Sequence, residues 1–71
     1  MIKKELTVVA PCFNEEKNIK EFYERINKII SNLNVLNYQI IFIDDGSSDG
    51  TWSCIKRLSD NNKNILGIKL S

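Results

Sequence analysis

Residues 39–51 read Gln39-Ile40-Ile41-Phe42-Ile43-Asp44-Asp45-Gly46-Ser47-Ser48-Asp49-Gly50-Thr51. A run of β-branched and aromatic residues stops abruptly at two aspartates and a string of small residues. Unbroken apolar runs of this length suit a buried strand of a parallel sheet. Asp, Gly and Ser in series mark a loop. The stretch therefore predicts a buried strand over residues 39–43 that delivers two carboxylates into a loop at its carboxyl end.

Outward from this strand the pattern alternates. Upstream, residues 6–10 (Leu-Thr-Val-Val-Ala) form a second short apolar run that stops at Pro11. Between the two runs, Ile19, Phe22, Tyr23, Ile26, Ile29, Ile30 and Leu33 recur with helical period. They predict a long amphipathic helix over residues 15–33. Asn14 is its expected N-cap, and Glu15 and Glu16 occupy the first turn, where the helix dipole favours them. Asn32, Asn34 and Asn37 mark its fraying end and the following loop. Downstream, Trp52, Ile55 and Leu58 give a shorter helix over residues 50–59, with Ser48 or Asp49 as N-cap. A polar loop over residues 60–64 leads to a third strand, Ile65–Leu70.

The expected fold class is α/β: a β-α-β-α-β unit, Rossmann-like, forming half of a doubly wound parallel sheet. Both crossovers should be right-handed, which places the strands in the order 3-2-1. The last strand ends without a cover, so residues 1–71 read as a single incomplete domain; a complete small α/β domain is the alternative. In a larger domain the first strand would be central. Here it is an edge, apolar and guarded only at its beginning by Lys3, Lys4 and Glu5, so self-association through strand one is expected.

Composition removes several function classes. The chain has 71 residues, 42% of them hydrophobic and 27% charged, which is ordinary for a globular protein. Ten basic against nine acidic residues leave a net charge of +1, so no nucleic-acid partner is expected. Histidine is absent, which excludes histidine acid–base catalysis and His-ligated zinc. Cys12 and Cys54 form no CxxC pair, so a metal or redox motif is not indicated. The start resembles a signal peptide only faintly, since the apolar run is short and acidic residues flank it. No window has the length of a membrane span. A reduced, cytoplasmic setting is the default expectation.

In open parallel sheets ligands lie beyond the carboxyl ends of the strands. Two loops meet there, residues 11–16 and 44–51. The first brings Phe13, Asn14, Glu15 and Glu16; the second brings Asp44, Asp45 and a flexible run. A carboxylate there can accept from ring N–H groups of a base or from ribose hydroxyls, Phe13 can face a base, and Gly46 and Gly50 permit close backbone approach. A turn plus helix cap explains Asp44-Asp45 equally well, and dipole stabilisation explains Glu15 and Glu16 better. The spacing from Asp45 imitates a calcium loop, but Lys56 stands where a bidentate Glu is required. Neither the dinucleotide nor the phosphate-loop glycine pattern is present. Cys12 lacks an adjacent base and reads as a packed thiol. Trp52 reads as helix core rather than a sugar platform.

Two motifs carry a resemblance. Val8-Val9-Ala10-Pro11-Cys12-Phe13-Asn14-Glu15-Glu16-Lys17-Asn18-Ile19 resembles the opening P-x-[YF]-N-E-E-x-x-I of family 2 glycosyltransferases with the GT-A fold. Residues 41–51 resemble their second signature, V-D-D-G-S-x-D-G-T. Order and separation also match, and the likeness spans nearly the whole chain. It is greatest to the branch of dolichol-phosphate mannose synthases and bactoprenol glucosyltransferases. Phe13 replaces the commoner Tyr, keeping the stacking face and losing the hydroxyl.

The resemblance implies a nucleotide-sugar site. Pro11, Phe13 and Glu15 would line the base and ribose pocket, and Asp45, with Asp44 beside it, would bind the base edge or ribose. The donor would be a UDP- or GDP-linked sugar. The family's D-x-D metal motif, general base and acceptor site would lie beyond residue 71. No catalytic residue, metal ligand or cofactor is therefore assigned to this chain, and Mg2+ or Mn2+ is expected only for a full-length enzyme. A polyprenyl phosphate acceptor at the cytoplasmic face of a membrane likewise belongs to the full-length protein. The chain itself would be a donor-binding segment without transferase activity. A free-standing nucleotide-binding module and an interaction protein are the alternatives.

Overall fold

The computed structural model describes residues 5–35 and 37–70. The elements follow the order β1 (Glu5–Cys12), α1 (Ile19–Asn32), β2 (Asn37–Asp45), α2 (Thr51–Asn61) and β3 (Ile65–Leu70). All three strands are parallel and lie in the order β1-β2-β3, which is the expected 3-2-1 order read from the other edge. Lys3 and Lys4, expected to guard the first strand, lie outside the described residues.

Strand alternation divides the side chains between two faces. Ala10 and Cys12 of β1, Ile40, Phe42 and Asp44 of β2, and Ile65 of β3 are buried on one face. Ile19, Ile26 and Ile30 of α1 and Ile55 of α2 pack on the same side and close the core. Phe22 meets Phe42 edge to face, with ring centroids 6.2 Å apart. At β3 the α2 helix comes very close. A Cβ on Gly67 would lie 2.8 Å from Ile55 Cγ2 and 3.3 Å from the Trp52 ring. Trp52 is thus a packing residue of the second helix, and Lys69 Nζ sits 6.0 Å from its ring centroid.

The other face is bare. Val9 is 56% exposed, and Leu66, Ile68 and Leu70 are exposed beside half-buried Ile41 and Ile43. The apolar strands predicted burial on both faces. Two successive crossovers in the same direction put both helices on one side, so only that side is covered.

Several boundaries differ from expectation, and β2 runs to Asp45, so both aspartates end the strand rather than enter the loop. The first strand continues through Pro11 to Cys12, with Pro11 paired to Ile43 and Cys12 to Asp44. Proline is tolerated there because β1 is an edge strand, where a missing N–H need not face a neighbour. The first helix starts at Ile19, four residues later than predicted, with Asn18 as N-cap. Asn14 instead adopts a left-handed conformation, φ 52°, in the preceding turn. At the other end, Asn34, φ 53°, supplies the left-handed residue that commonly follows a helix C-cap.

Candidate functional site

The loops after β1 and β2 hold each other. Asn14 N–H donates to Ser47 Oγ at 2.8 Å, while Ser48 N–H returns a bond to Asn14 Oδ1 at 2.9 Å. Glu15 N–H donates to Thr51 Oγ1 at 2.8 Å. Glu16 N–H donates to Asp49 Oδ2 at 3.3 Å, and Gly50 N–H donates to Glu16 Oε1 at 2.9 Å. Three successive backbone N–H groups of the first loop are therefore taken by side chains of the second. The chain makes a single turn there, with Asn18 and Ile19 N–H both donating to Glu15 O, and the continuous helical ladder starts only with Phe22 N–H to Asn18 O. Glu16 does meet a helix N-terminus, as its charge predicts, but that of α2 rather than of its own helix.

The second loop is also tied to itself. Gly46 turns the chain with φ 74°, which favours glycine. Ser47 N–H donates to Asp44 Oδ1 at 3.1 Å. Asp49 Oδ1 accepts from Thr51 N–H at 2.9 Å and from the Thr51 hydroxyl. These bonds, the Thr51 hydroxyl first among them, hold the Asp49 carboxyl below its ordinary range. Gly50 occupies the formal N-cap position of α2, while Asp49 supplies the side-chain acceptor expected of Ser48 or Asp49.

With these groups engaged, a distinct set faces outward. Phe13 is 58% exposed, and Pro11 and Asp45 are exposed. Asp45 follows Asp44 and Phe13 follows Cys12, and Cys12 and Asp44 are register partners. Phe13 and Asp45 therefore leave adjacent strands at the same level. Pro11 and Asp45 lie on the bare face by strand alternation. Glu15 is half-buried, with Oε2 accepting from Asn18 Nδ2 at 2.9 Å. A hollow of about 230 Å3 lies beside it, lined by Pro11, Cys12, Glu15, Asn18, Ile19 and Phe22.

Asp44 is placed differently from its neighbour. It is 0% exposed, on the helix side of the sheet. Its Oδ2 has no hydrogen-bond donor among the described residues. Cys12 lies next to it, donating weakly to Ala10 O. Burial, then the charges of Glu15 and Asp44, push the Cys12 thiol up from its ordinary value. It is held protonated, which is the opposite of what a nucleophile needs. Cys12 and Cys54 are both free thiols.

The carboxylates near the loops do not make a metal cage. Among the described residues no group of three His, Cys, Asp or Glu side chains is placed to hold an ion. Both Asp49 oxygens and Glu16 Oε1 accept from backbone N–H groups, and Asp45 faces away from Asp44. Among the described residues no helix is long and apolar enough to cross a membrane.

The clasp residues Asn14, Glu16, Ser47 and Thr51 were missed as partners by sequence reasoning. Their types announced turns and caps, but nothing local indicates pairs 33–36 residues apart.

Residues 7–71 match the family described as "Glycosyl transferase family 2". An uncharacterized glycosyltransferase of Bacillus subtilis, YkoT, is 38% identical over an alignment covering 93% of this chain and 21% of that protein. A dolichol-phosphate mannosyltransferase of Pyrococcus furiosus is 37% identical over 76% of the chain and 14% of its own length. A bactoprenol glucosyl transferase of Shigella phage SfV is 39% identical over 76% of the chain and 17% of its own length. The chain thus spans about a fifth or less of each of these relatives.

Proposed function

The chain belongs to glycosyl transferase family 2, and on that premise we propose that its clasped loops form the nucleotide-sugar-binding part of a transferase. The observation that carries this reading is the pairing of an exposed ring, Phe13, with an exposed carboxylate, Asp45, at the ends of adjacent strands. The ring offers a stacking face for a base. The carboxylate accepts from ring N–H groups or ribose hydroxyls, a charge-assisted contact of about 1.5–3 kcal/mol. Pro11 flanks the base, Glu15 lies toward the ribose, and Asp44 anchors the turn behind Asp45. The donor is a UDP- or GDP-linked sugar.

The reaction would move that sugar to an acceptor. The names of the Pyrococcus and phage relatives point to a polyprenyl phosphate as the acceptor class. Neutralising a leaving diphosphate takes cationic charge, and residues 11–16 and 44–51 at the mouth supply only carboxylates and neutral groups. A divalent cation, Mg2+ or Mn2+, would have to be held by other residues, so no step is assigned to one here.

The test is an NMR titration of the chain with UDP and with GDP. Amide shifts centred on Phe13 and Asp45 are expected with one of them. Shifts centred elsewhere, or none at millimolar nucleotide, would overturn the reading.

A further inference from the structure

We infer that Glu16 is a positioning residue for the nucleotide site: it fixes the second loop against the first without touching the ligand. The inference rests on the reading of Phe13 and Asp45 given above. Three observations carry it. The Glu16 carboxylate accepts from Gly50 N–H at 2.9 Å, and the Glu16 N–H donates to Asp49 Oδ2 at 3.3 Å. The two loops thus exchange a reciprocal pair of charge-assisted bonds, the logic of a capping box carried out between distant segments. Next, Gly50 has φ −83°, a conformation open to any residue. A side chain there would displace the Glu16 carboxylate: a Cβ on Gly50 would lie 2.6 Å from Glu16 Oε2 and 2.7 Å from its Cδ, so that carboxylate would have to move. Gly50 is therefore the seat of the Glu16 carboxylate. Finally, neither the Phe13 nor the Asp45 side chain makes a hydrogen bond of its own among the described residues. Their relative placement depends on the anchors that follow each in the chain, Asn14 to Glu16 for Phe13 and Ser47 to Gly50 for Asp45.

A ligand gripped from two loops needs both loops in register before it binds. Loss of the clasp leaves that ordering to be done at binding, which weakens affinity without removing a ligand contact.

Five variants of the chain, one of them the Glu16→Ala/Gly50→Ala double, test this, each titrated with UDP and GDP and each melted without nucleotide. Glu16→Ala should weaken binding about tenfold in the folded protein, since one charge-assisted bond is lost. Glu16→Gln keeps an oxygen acceptor for Gly50 N–H and should recover most of the affinity. Gly50→Ala should weaken binding in the wild-type background but add little once Glu16 is alanine, because the colliding carboxyl is gone. Ile30→Val, a buried change at the far end of α1, should lower stability and leave affinity unchanged. Equal affinity of Glu16→Ala and the wild type, both folded, would overturn the positioning role alone. So would additive losses in the Glu16–Gly50 pair. Absence of nucleotide binding by the wild type would overturn the functional reading and this inference together.

Discussion

Asp44 and Asp45 are neighbours in sequence and lie on opposite faces of the sheet. Asp44 is fully buried and accepts the Ser47 N–H at 3.1 Å, while Asp45 is exposed at the open mouth. One carboxylate holds the turn and the other is presented to solvent.

That division predicts unequal effects on binding. Asp45→Asn should weaken UDP or GDP binding about 10- to 100-fold, the loss of a charge-assisted contact. Asp44→Asn keeps an acceptor for Ser47 and should weaken binding less, and Lys63→Ala should have no effect. Calorimetric titration of the three variants would check this; equal losses would mean that Asp45 is not the reader.

Packing of α2 on β3 predicts a stability change. Gly67→Ala places a methyl 2.8 Å from Ile55 Cγ2. Forcing an extra carbon into such a contact should destabilise the chain by about 1–3 kcal/mol. Denaturant unfolding would show a lower midpoint, and an unchanged midpoint would mean that the helix shifts freely.

Acid should loosen the second loop through Asp49. Its carboxyl titrates below the ordinary aspartate value of 3.8 because Thr51 and the Glu16 N–H bond to the ionised form. A depressed folded-state value stabilises the fold when the group is charged. That contribution is complete above the unfolded value and disappears as pH falls through the lower folded one. Melting curves of wild type and Asp49→Asn should therefore differ near neutrality and converge at the acid end. Curves that diverge on acidification would contradict the assignment.

Turnover by residues 1–71 alone is not expected, since residues 11–16 and 44–51 at the mouth carry no cationic group for the leaving diphosphate. Incubation with UDP-glucose or GDP-mannose, a divalent metal and a polyprenyl phosphate should release no nucleotide above a protein-free control. Release above that control would place catalytic groups within this chain.

Self-association is expected through β1. It is an edge strand of eight residues, paired among the described residues to β2 alone, and Val9 stands exposed on the bare face. Unpaired edge groups beside an apolar surface favour strand addition, and an edge lysine opposes it. Sedimentation at micromolar concentration should show a dimer or larger species for the wild type and more monomer for Val9→Lys. A wild-type monomer throughout would sink the idea.

The order and type of every element were determined by the sequence alone, because helical and strand periods and turn chemistry are local properties. The third strand, Ile65–Leu70, matches its expected bounds for that reason. The two loops that meet at the strand ends were equally legible, with Phe13 and Asp45 among their residues. What only the tertiary structure decided is where the polar groups of those loops go. Asn14 and Glu16 are a sound cap and first-turn residue for α1 by local rules. They serve the second loop instead, because packing brings Ser47, Asp49, Gly50 and Thr51 within hydrogen-bond reach. With Asn14 left-handed in this clasp, φ 52°, and a single turn closed on Glu15 O, the helical ladder starts only at Asn18 O. Pro11 within β1 and the bare face of the sheet have the same origin: each depends on which side of a strand has a neighbour, and that is settled when the crossovers pack.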